Sequence, residues 1–337
     1  MSRHAYTVAS SPARIERDGG ARIDVTADQL PLLDGMALAT LRLEPGAVRE
    51  PHWHPNAAEL SYCLEGSASM TIVESGGRPV SMDIEPGDLA FVPSGLIHHI
   101  ENRANSPARF VVCFSHEHYE DLNLSNSVAE MPAHVLRSTF GADPGSFDWI
   151  EPVTEPAFID RPGNSGNGCA GTGSPYRYRL EKMEPEVENA GGSAIFGRAD
   201  YFPALDGLAM YSLRMSGRGV REPHWHPNAA ELNYLIEGSV RLTIVSPGGD
   251  VETVDLEAGD ISYIPRAYFH HIESTSDDQA RLAVFFDHEL PADNGISAVL
   301  SAYPDSVLAG MFGQPESVFG SLRSFDADVL LSPGEDS

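Results

Sequence analysis

Short stretches rich in Val, Ile, Leu, Thr, Tyr and Phe alternate along the chain with clusters of Gly, Pro, Asn and Asp. Residues 38–43, 59–64, 68–73, 80–84, 89–92 and 109–114 are each rich in strand formers. Turn signals separate them, among them Glu65-Gly66-Ser67, Ser75-Gly76-Gly77 and Pro86-Gly87-Asp88. Many short strands at this spacing predict an all-β sandwich or barrel. After residue 114 the period changes. Residues 125–140 space Val, Leu, Ala and Phe helically, and Pro132 starts the second of two short helices; residues 296–312 do the same around Pro304.

The similarity of those two helical pairs belongs to a longer repeat. The sequence REPHWHPNAAEL at residues 49–60 recurs unchanged at 221–232, an offset of 172. The same offset carries Gly19-Gly20 onto Gly191-Gly192, Gly87-Asp88 onto Gly259-Asp260, Pro93 onto Pro265 and His98-His99 onto His270-His271. A constant register means two copies of one domain with no net insertion between these anchors. The expected organisation is an N-terminal domain at 1–147, a linker at 148–177, a C-terminal domain at 178–325 and a tail at 326–337. The Gly-, Asn- and Ser-rich residues 161–174 mark the linker.

Composition narrows the partners. The chain has 337 residues, 22 Lys and Arg against 49 Asp and Glu, and a net charge of −27. That excludes nucleic acid and anionic membrane as main partners, because their phosphates would be repelled. The longest apolar runs, 110–114 and 282–286, fall far short of the roughly 20 residues a bilayer span needs. The first twenty residues carry no apolar run of the secretory kind. Cys63, Cys113 and Cys169 are too few and too odd in number for a disulfide framework. A cytoplasmic location is the expectation.

The histidines carry the chemistry. His52 and His54 lie two apart on an extended segment, so both rings project from one face. Glu59 follows, and His98 arrives from a distant strand; the second copy repeats the set as His224, His226, Glu231 and His270. A single His-x-His in a β-protein reads as a surface pair. A quartet repeated at one offset reads as two shells for a divalent transition ion, with imidazoles suited to Fe, Co, Ni, Cu or Zn and the carboxylate admitting Mn. An octahedral ion would keep two positions open for substrate or dioxygen. His99 and His271 adjoin ligands but face the other way by alternation, and read as structural.

The spacings His-x-His-x4-Glu-x6-Gly (His52 to Gly66) and Gly-x5-Pro-x4-His (Gly87 to His98) resemble the paired motifs of the cupin superfamily, and two copies make a bicupin. The segments RLEPGAVREPHWH, GDLAFVPSGLIHHIEN and YRYRLEKMEP are similar to those of the bacterial oxalate decarboxylase family. This resemblance implies two jelly-roll β-barrels, one Mn2+ in each, a small carboxylic acid such as oxalate as substrate with dioxygen in the cycle, and a homo-oligomer (trimer or hexamer) built on the helical pairs. Arg49 and Arg221 match the family's substrate-pocket arginine. Strict alternation puts Arg49 on the face opposite His52, so this role requires a bulge at Pro51.

Two departures from the family stand out. Its N-terminal domain carries a lid with a Ser-Glu-Asn motif whose glutamate moves a proton. Residues 115–124, SHEHYEDLNL, lack that motif, and Val284 stands where the C-terminal domain has a glutamate. Glu117, Glu120 and Tyr119, with His116 and His118, are the candidates to fill the gap. Decarboxylation and oxidation of oxalate are both left open. So are an Fe, Ni or Cu dioxygenase acting on an enol or keto acid, and a non-catalytic bicupin that binds a small acid. Ser61 and Cys63 share the face of Glu59, whereas Asn233 and Leu235 share that of Glu231, so the two pockets are expected to differ in polarity.

Overall fold

The computed structural model describes residues 2–151, 159–161, 173–322 and 324–334; most of the predicted linker loop, with Cys169, and the last three residues of the tail lie outside them. The chain forms two compact units, one of Pro12–Thr26 with Met36–Arg179, the other of Met1–Ser11, Ala27–Gly35 and Leu180–Ser337. Both are built from antiparallel sheets, as the alternating strand-and-turn pattern predicts.

In the first unit a seven-stranded sheet runs in the order Arg177–Tyr178, Leu89–Val92, Glu59–Glu65, Ala108–Phe114, Ala37–Leu43, Gly20–Val25, Ile15–Arg17. A second sheet orders Leu122–Asn123, Val48–Trp53, Ile97–Glu101, Ala68–Glu74 and Arg78–Ile84, with Ile159–Asp160 also pairing Val48–Trp53. Leu43, Met70, Ile84, Phe110 and Phe114 pack among the buried side chains of the core. Among the described residues the two sheets do not close by hydrogen bonding into a continuous barrel. Gly66 shows why the motif ends in glycine: its φ is +70°, and a Cβ there would collide with the Pro107 carbonyl. Gly238 repeats this at φ +81° against Gln279.

The second unit repeats the plan. Its larger sheet contains Asp260–Ile264, Glu231–Glu237, Gln279–Phe286, Ala209–Ser216 and Gly192–Gly197; its smaller sheet is built on Val220–Trp225, Phe269–Ser274, Ser239–Val245 and Val251–Glu257. The edge strand of the larger sheet is Ala5–Thr7, with Ala5 opposite Ser262. Its counterpart at the offset of 172, Arg177–Tyr178, lines the corresponding edge of the first unit, with Arg177 opposite Ala90. Each unit therefore takes its edge strand from the start of the other copy.

The helical pairs lie where the periodicity puts them, at Leu124–Ala129 with Ala133–Phe140 and at Ile296–Ala302 with Asp305–Phe312. Pro132 and Pro304 sit at the N-cap, one position earlier than the first-turn position expected of proline. Gly141 and Gly313 end the second helix of each pair in the left-handed conformation.

Candidate metal centres

The strand Val48–Trp53 carries a bulge that decides the site. His52 pairs with His98 and Arg49 with Ile100, so three steps on one strand match two on the other. The extra residue lies in the Arg49–His52 interval, which contains Pro51. It reverses the alternation and turns Arg49 to the same face as His52. The second copy shows the same shift, with His224 opposite His270 and Arg221 opposite Ile272.

His52, His54, Glu59 and His98 converge, each buried, with one ligand atom from each within 4.8 Å of the others; His224, His226, Glu231 and His270 do likewise. In the first site every ring is oriented by its Nδ1. His52 reaches the Glu50 carbonyl at 2.8 Å, His54 the Glu120 carbonyl at 3.0 Å and His98 the Leu96 carbonyl at 3.1 Å. In the second, His224, His226 and His270 reach the carbonyls of Glu222, Ala292 and Tyr268 at 2.7, 2.8 and 2.9 Å. A carbonyl only accepts, so each Nδ1 carries the proton and, in the neutral ring, each Nε2 presents a lone pair inward. Glu59 Oε2 lies 3.0 Å from His54 Nε2 and 3.3 Å from His98 Nε2. Glu231 Oε2 lies 2.9 and 3.2 Å from His226 and His270. Acceptors gathered this closely need a cation among them, either protons or a metal ion. Neutral imidazoles oriented through Nδ1 are the usual state of metal-binding histidines. The donor sets fit a divalent ion.

The glutamates are held for that role. Ser61 donates to Glu59 Oε1 at 2.8 Å, and Asn233 donates to Glu231 Oε1 at 2.7 Å, leaving Oε2 to the histidines. Burial disfavours both charged carboxylates, but His98 beside Glu59 and His270 beside Glu231 outweigh it and hold them well below the carboxylate range. Burial, reinforced by the nearby arginine, keeps His52 well below its usual value and pushes His224 down to about 3. His54 and His226 are raised against the pull of burial. Asp121 and Glu59 do this for His54, and Glu231 and Asp293 for His226.

A cavity of about 20 Å³ adjoins each quartet. Arg49 lines the first with Leu41, Val112 and Phe114; Arg221 lines the second with Leu213, Val284 and Phe286. Arg49 donates to Asn123 Oδ1 at 2.9 Å, and burial, aided by repulsion from Arg22, pushes it down to about 9.

The other predicted residues divide. Tyr119 is buried, stacked on Phe114 at 3.7 Å, and accepts a 2.6 Å hydrogen bond from Arg22. Burial raises its phenol, so it keeps its proton. The Glu120 side chain is exposed, and the residue serves the site through its backbone carbonyl. Glu117 stands beside His116 at 3.6 Å. Glu117, Glu120, His116 and His118 do not line the cavity, nor do His99 and His271. The segment 115–124 thus orients the site from outside rather than placing an acid within it.

Two residues escaped the reading of the sequence. Asp121, buried, lies 2.9 Å from His54 Nδ1, 3.7 Å from Arg49 and 3.2 Å from Arg14. Its counterpart Asp293 pairs with Arg221. Burial opposes ionisation of both, but Arg22 with His54, and Arg221 with His224, hold them low. The signal was present: Asp121 and Asp293 are identical at the offset of 172, in a stretch where most neighbours differ. The other is Arg22, which lines the first cavity from the strand Gly20–Val25.

A family model described as cupin matches residues 6–146 and 178–330. The chain is 31% identical over 317 residues to the oxalate decarboxylase OxdC of Bacillus subtilis (strain 168), covering 91% of this chain and 81% of that protein. It is 26% identical to an oxalate decarboxylase of Arthroderma benhamiae, covering 94% and 82%. The Bacillus subtilis oxalate decarboxylase structure at pH 4.6 superposes with a TM-score of 0.88 at 28% identity, covering 99% of this chain and 88% of that one. Another structure of the same enzyme, matching equally well, comes from work on its Mn(II) centres.

Proposed function

The chain belongs to the cupin family, and on that premise we propose that it is a Mn2+-dependent enzyme acting on oxalate or a close dicarboxylate analogue. His52, His54, Glu59 and His98 would hold one ion and His224, His226, Glu231 and His270 the other. The observation that carries this reading is the convergence of three inward-facing Nε2 atoms and one carboxylate oxygen beside a buried arginine, twice. A bound divalent ion would supply a Lewis-acid anchor for a carboxylate and, as manganese, a redox centre.

The protein's own groups then have defined tasks. The guanidinium of Arg49, or of Arg221 in the second site, binds the acid and fixes its orientation. Asn123 and Asp121 hold Arg49 in place. The apolar wall of Leu41, Val112 and Phe114 keeps water from the reacting carbons. The local guanidinium attracts a small anion that the overall charge of −27 would repel.

Two balanced outcomes share these parts. Oxalate and one proton give formate and carbon dioxide; oxalate, dioxygen and two protons give two carbon dioxide and hydrogen peroxide. The first must deliver a proton to carbon. Glu59 is the sole carboxyl group lining the first cavity among the described residues. Decarboxylation would therefore need the segment 115–124 to turn Glu117 or Glu120 inward, with Tyr119 beside them. Oxidation needs no such movement, and the cavity lining favours it.

We also propose that the two copies of the repeat span residues 1–147 and 178–325 and that the protein is cytoplasmic, the latter supported by the buried, unbridged thiol of Cys63. No helix among the described residues is long and apolar enough to cross a membrane. The exposed Met131, Phe140, Met311 and Phe312 of the helical pairs support assembly into a homo-oligomer. The test of activity is turnover of oxalate by Mn2+-loaded protein, with formate, carbon dioxide and peroxide measured separately. Formate or peroxide supports the proposal and tells the branches apart; neither product contradicts it.

A further inference from the structure

The residues expected to form a tail return to the second site. Phe325 and Val329 donate their backbone N–H groups to the hydroxyls of Ser301 and Ser297 on the helix Ile296–Ala302, each at 3.0 Å. Leu331–Ser332 then forms a short strand, with Leu331 opposite Arg221 and Ser332 opposite Val220. The offset of 172 continues here, past the end of each copy. In the first unit Ile159 lies opposite Arg49 and Asp160 opposite Val48. The counterpart of Leu330 itself, Phe158, lies outside the described residues.

Leu330 is where this segment meets the cavity. Its φ is +63°, a conformation that strains a residue carrying a Cβ. The Leu331 N–H donates to the Val329 carbonyl at 2.8 Å, closing a three-residue turn of the strained γ type around Leu330. Three hydrogen bonds hold the residue there. Its N–H donates to Glu222 Oε1 at 2.6 Å, and its carbonyl accepts from the Glu222 N–H at 3.1 Å and from Arg221 Nη1 at 3.4 Å.

Strain of this kind persists only where the surroundings over-determine it. Here the bonds come from Arg221, the guanidinium of the second cavity, and from Glu222, whose carbonyl orients His224. What they deliver is one apolar side chain, buried, lining the cavity together with Arg221, His224 and Glu231. Among the described residues Leu330 is the one apolar member of that lining that no strand carries. Leu331, next in the chain, is buried too but does not line the cavity.

We propose that Leu330 is a specificity-determining residue of the second site, limiting the apolar bulk of the acid that Arg221 can bind. Compact carboxylates enter, and branched ones meet the leucine side chain. This rests on the reading of that site as a metal-bound pocket for small carboxylic acids, and it names what bounds the pocket.

The test is isothermal titration of the Mn2+-loaded full chain carrying His52→Ala, which leaves a complete ligand set only in the second quartet. The probes are acetate and trimethylacetate, alike in charge and different in three methyl groups. With Leu330 in place, trimethylacetate should bind at least about tenfold more weakly than acetate. Leu330→Gly suits the positive φ; it should strengthen trimethylacetate binding at least about tenfold and change acetate less than about threefold. Leu330→Ala should act in the same direction by a smaller factor, and serves if glycine loosens the segment. Leu331→Ala removes buried packing beside the pocket without touching its lining, so the ratio of the two affinities should move less than about threefold. If the two acids bind alike with Leu330 in place, if neither Leu330 variant shifts their ratio, or if Leu331→Ala shifts it as far, the selectivity proposal fails while the functional reading stands. If acetate does not bind with Leu330 in place, the functional reading of the second site fails and takes this proposal with it.

Discussion

The two sites differ less in what grips an ion than in what faces a ligand. Both set an arginine beside the histidines through the same bulge, orient every ring through Nδ1 to a carbonyl, and pair the arginine with an aspartate at the same repeat position. They part at Arg22 and Ala194, Asp24 and Phe196, Tyr119 and Pro291, and Ser61 and Asn233. Of these positions Arg22, Ala194 and Phe196 line a cavity beside the quartet, while Tyr119 packs edge-on against His54 at 5.7 Å. The repeat thus preserves the machinery of coordination and varies the chemistry of selection, as expected when a single fold carries two related pockets.

Substitutions can break this comparison. The largest effect is expected from Arg49→Ala, which should lower kcat/KM for oxalate about 100-fold or more, since removing one partner of a buried charge pair costs about 2–5 kcal/mol. Arg221→Ala should lower it less than about tenfold by the same principle, if oxalate belongs to the first site. Equal losses in steady-state kinetics would erase the distinction. Asp121→Asn comes next. Asp121 touches His54 Nδ1 directly, so Mn2+ affinity at the first site should fall about 10- to 100-fold in a chelator competition. Asp293 pairs with Arg221 instead, so Asp293→Asn should act mainly on KM.

The metal-free protein should show an intermediate, pH-dependent effect. His52 and His224 have folded values below the ordinary 6.5, with His224 near 3. The unfolded chain then binds more protons as pH falls below 6.5, so stability should decline on acidification. His54 and His226 have raised folded values, and their contribution is lost as pH rises through them. The Tm of metal-free protein should peak near neutral pH and fall on both sides. Mn2+ should abolish the alkaline decline, because the ion replaces the proton between the acceptors; an unchanged alkaline slope would argue against metal in the quartets. The smallest effects belong to Glu117→Gln and Glu120→Gln, which should change turnover less than about twofold because neither side chain lines the cavity.

The metal-binding residues were legible because the repeat lifted them from background. The strands were legible because alternation and turn residues agree along each copy. The orientation of Arg49 was not, since a bulge is a local exception to alternation and periodicity alone points the wrong way. The acidic candidates misled for another reason. In the segment 115–124, Glu120 serves through its carbonyl while Asp121, one residue on, carries the buried charge. Proximity along the chain does not distinguish them, whereas the repeat does. Arg22 was invisible because Tyr119 and Asp121, which meet it beside the cavity, are distant in sequence and join it only in three dimensions.

The most direct test of two separate metal centres is the metal content of purified protein by elemental analysis, for the wild type, His52→Ala and His224→Ala. The account predicts about two divalent ions per chain in the wild type and about one in each variant, because each substitution empties one quartet and leaves the other intact. One ion or none in the wild type, or the loss of both from a single substitution, would contradict it.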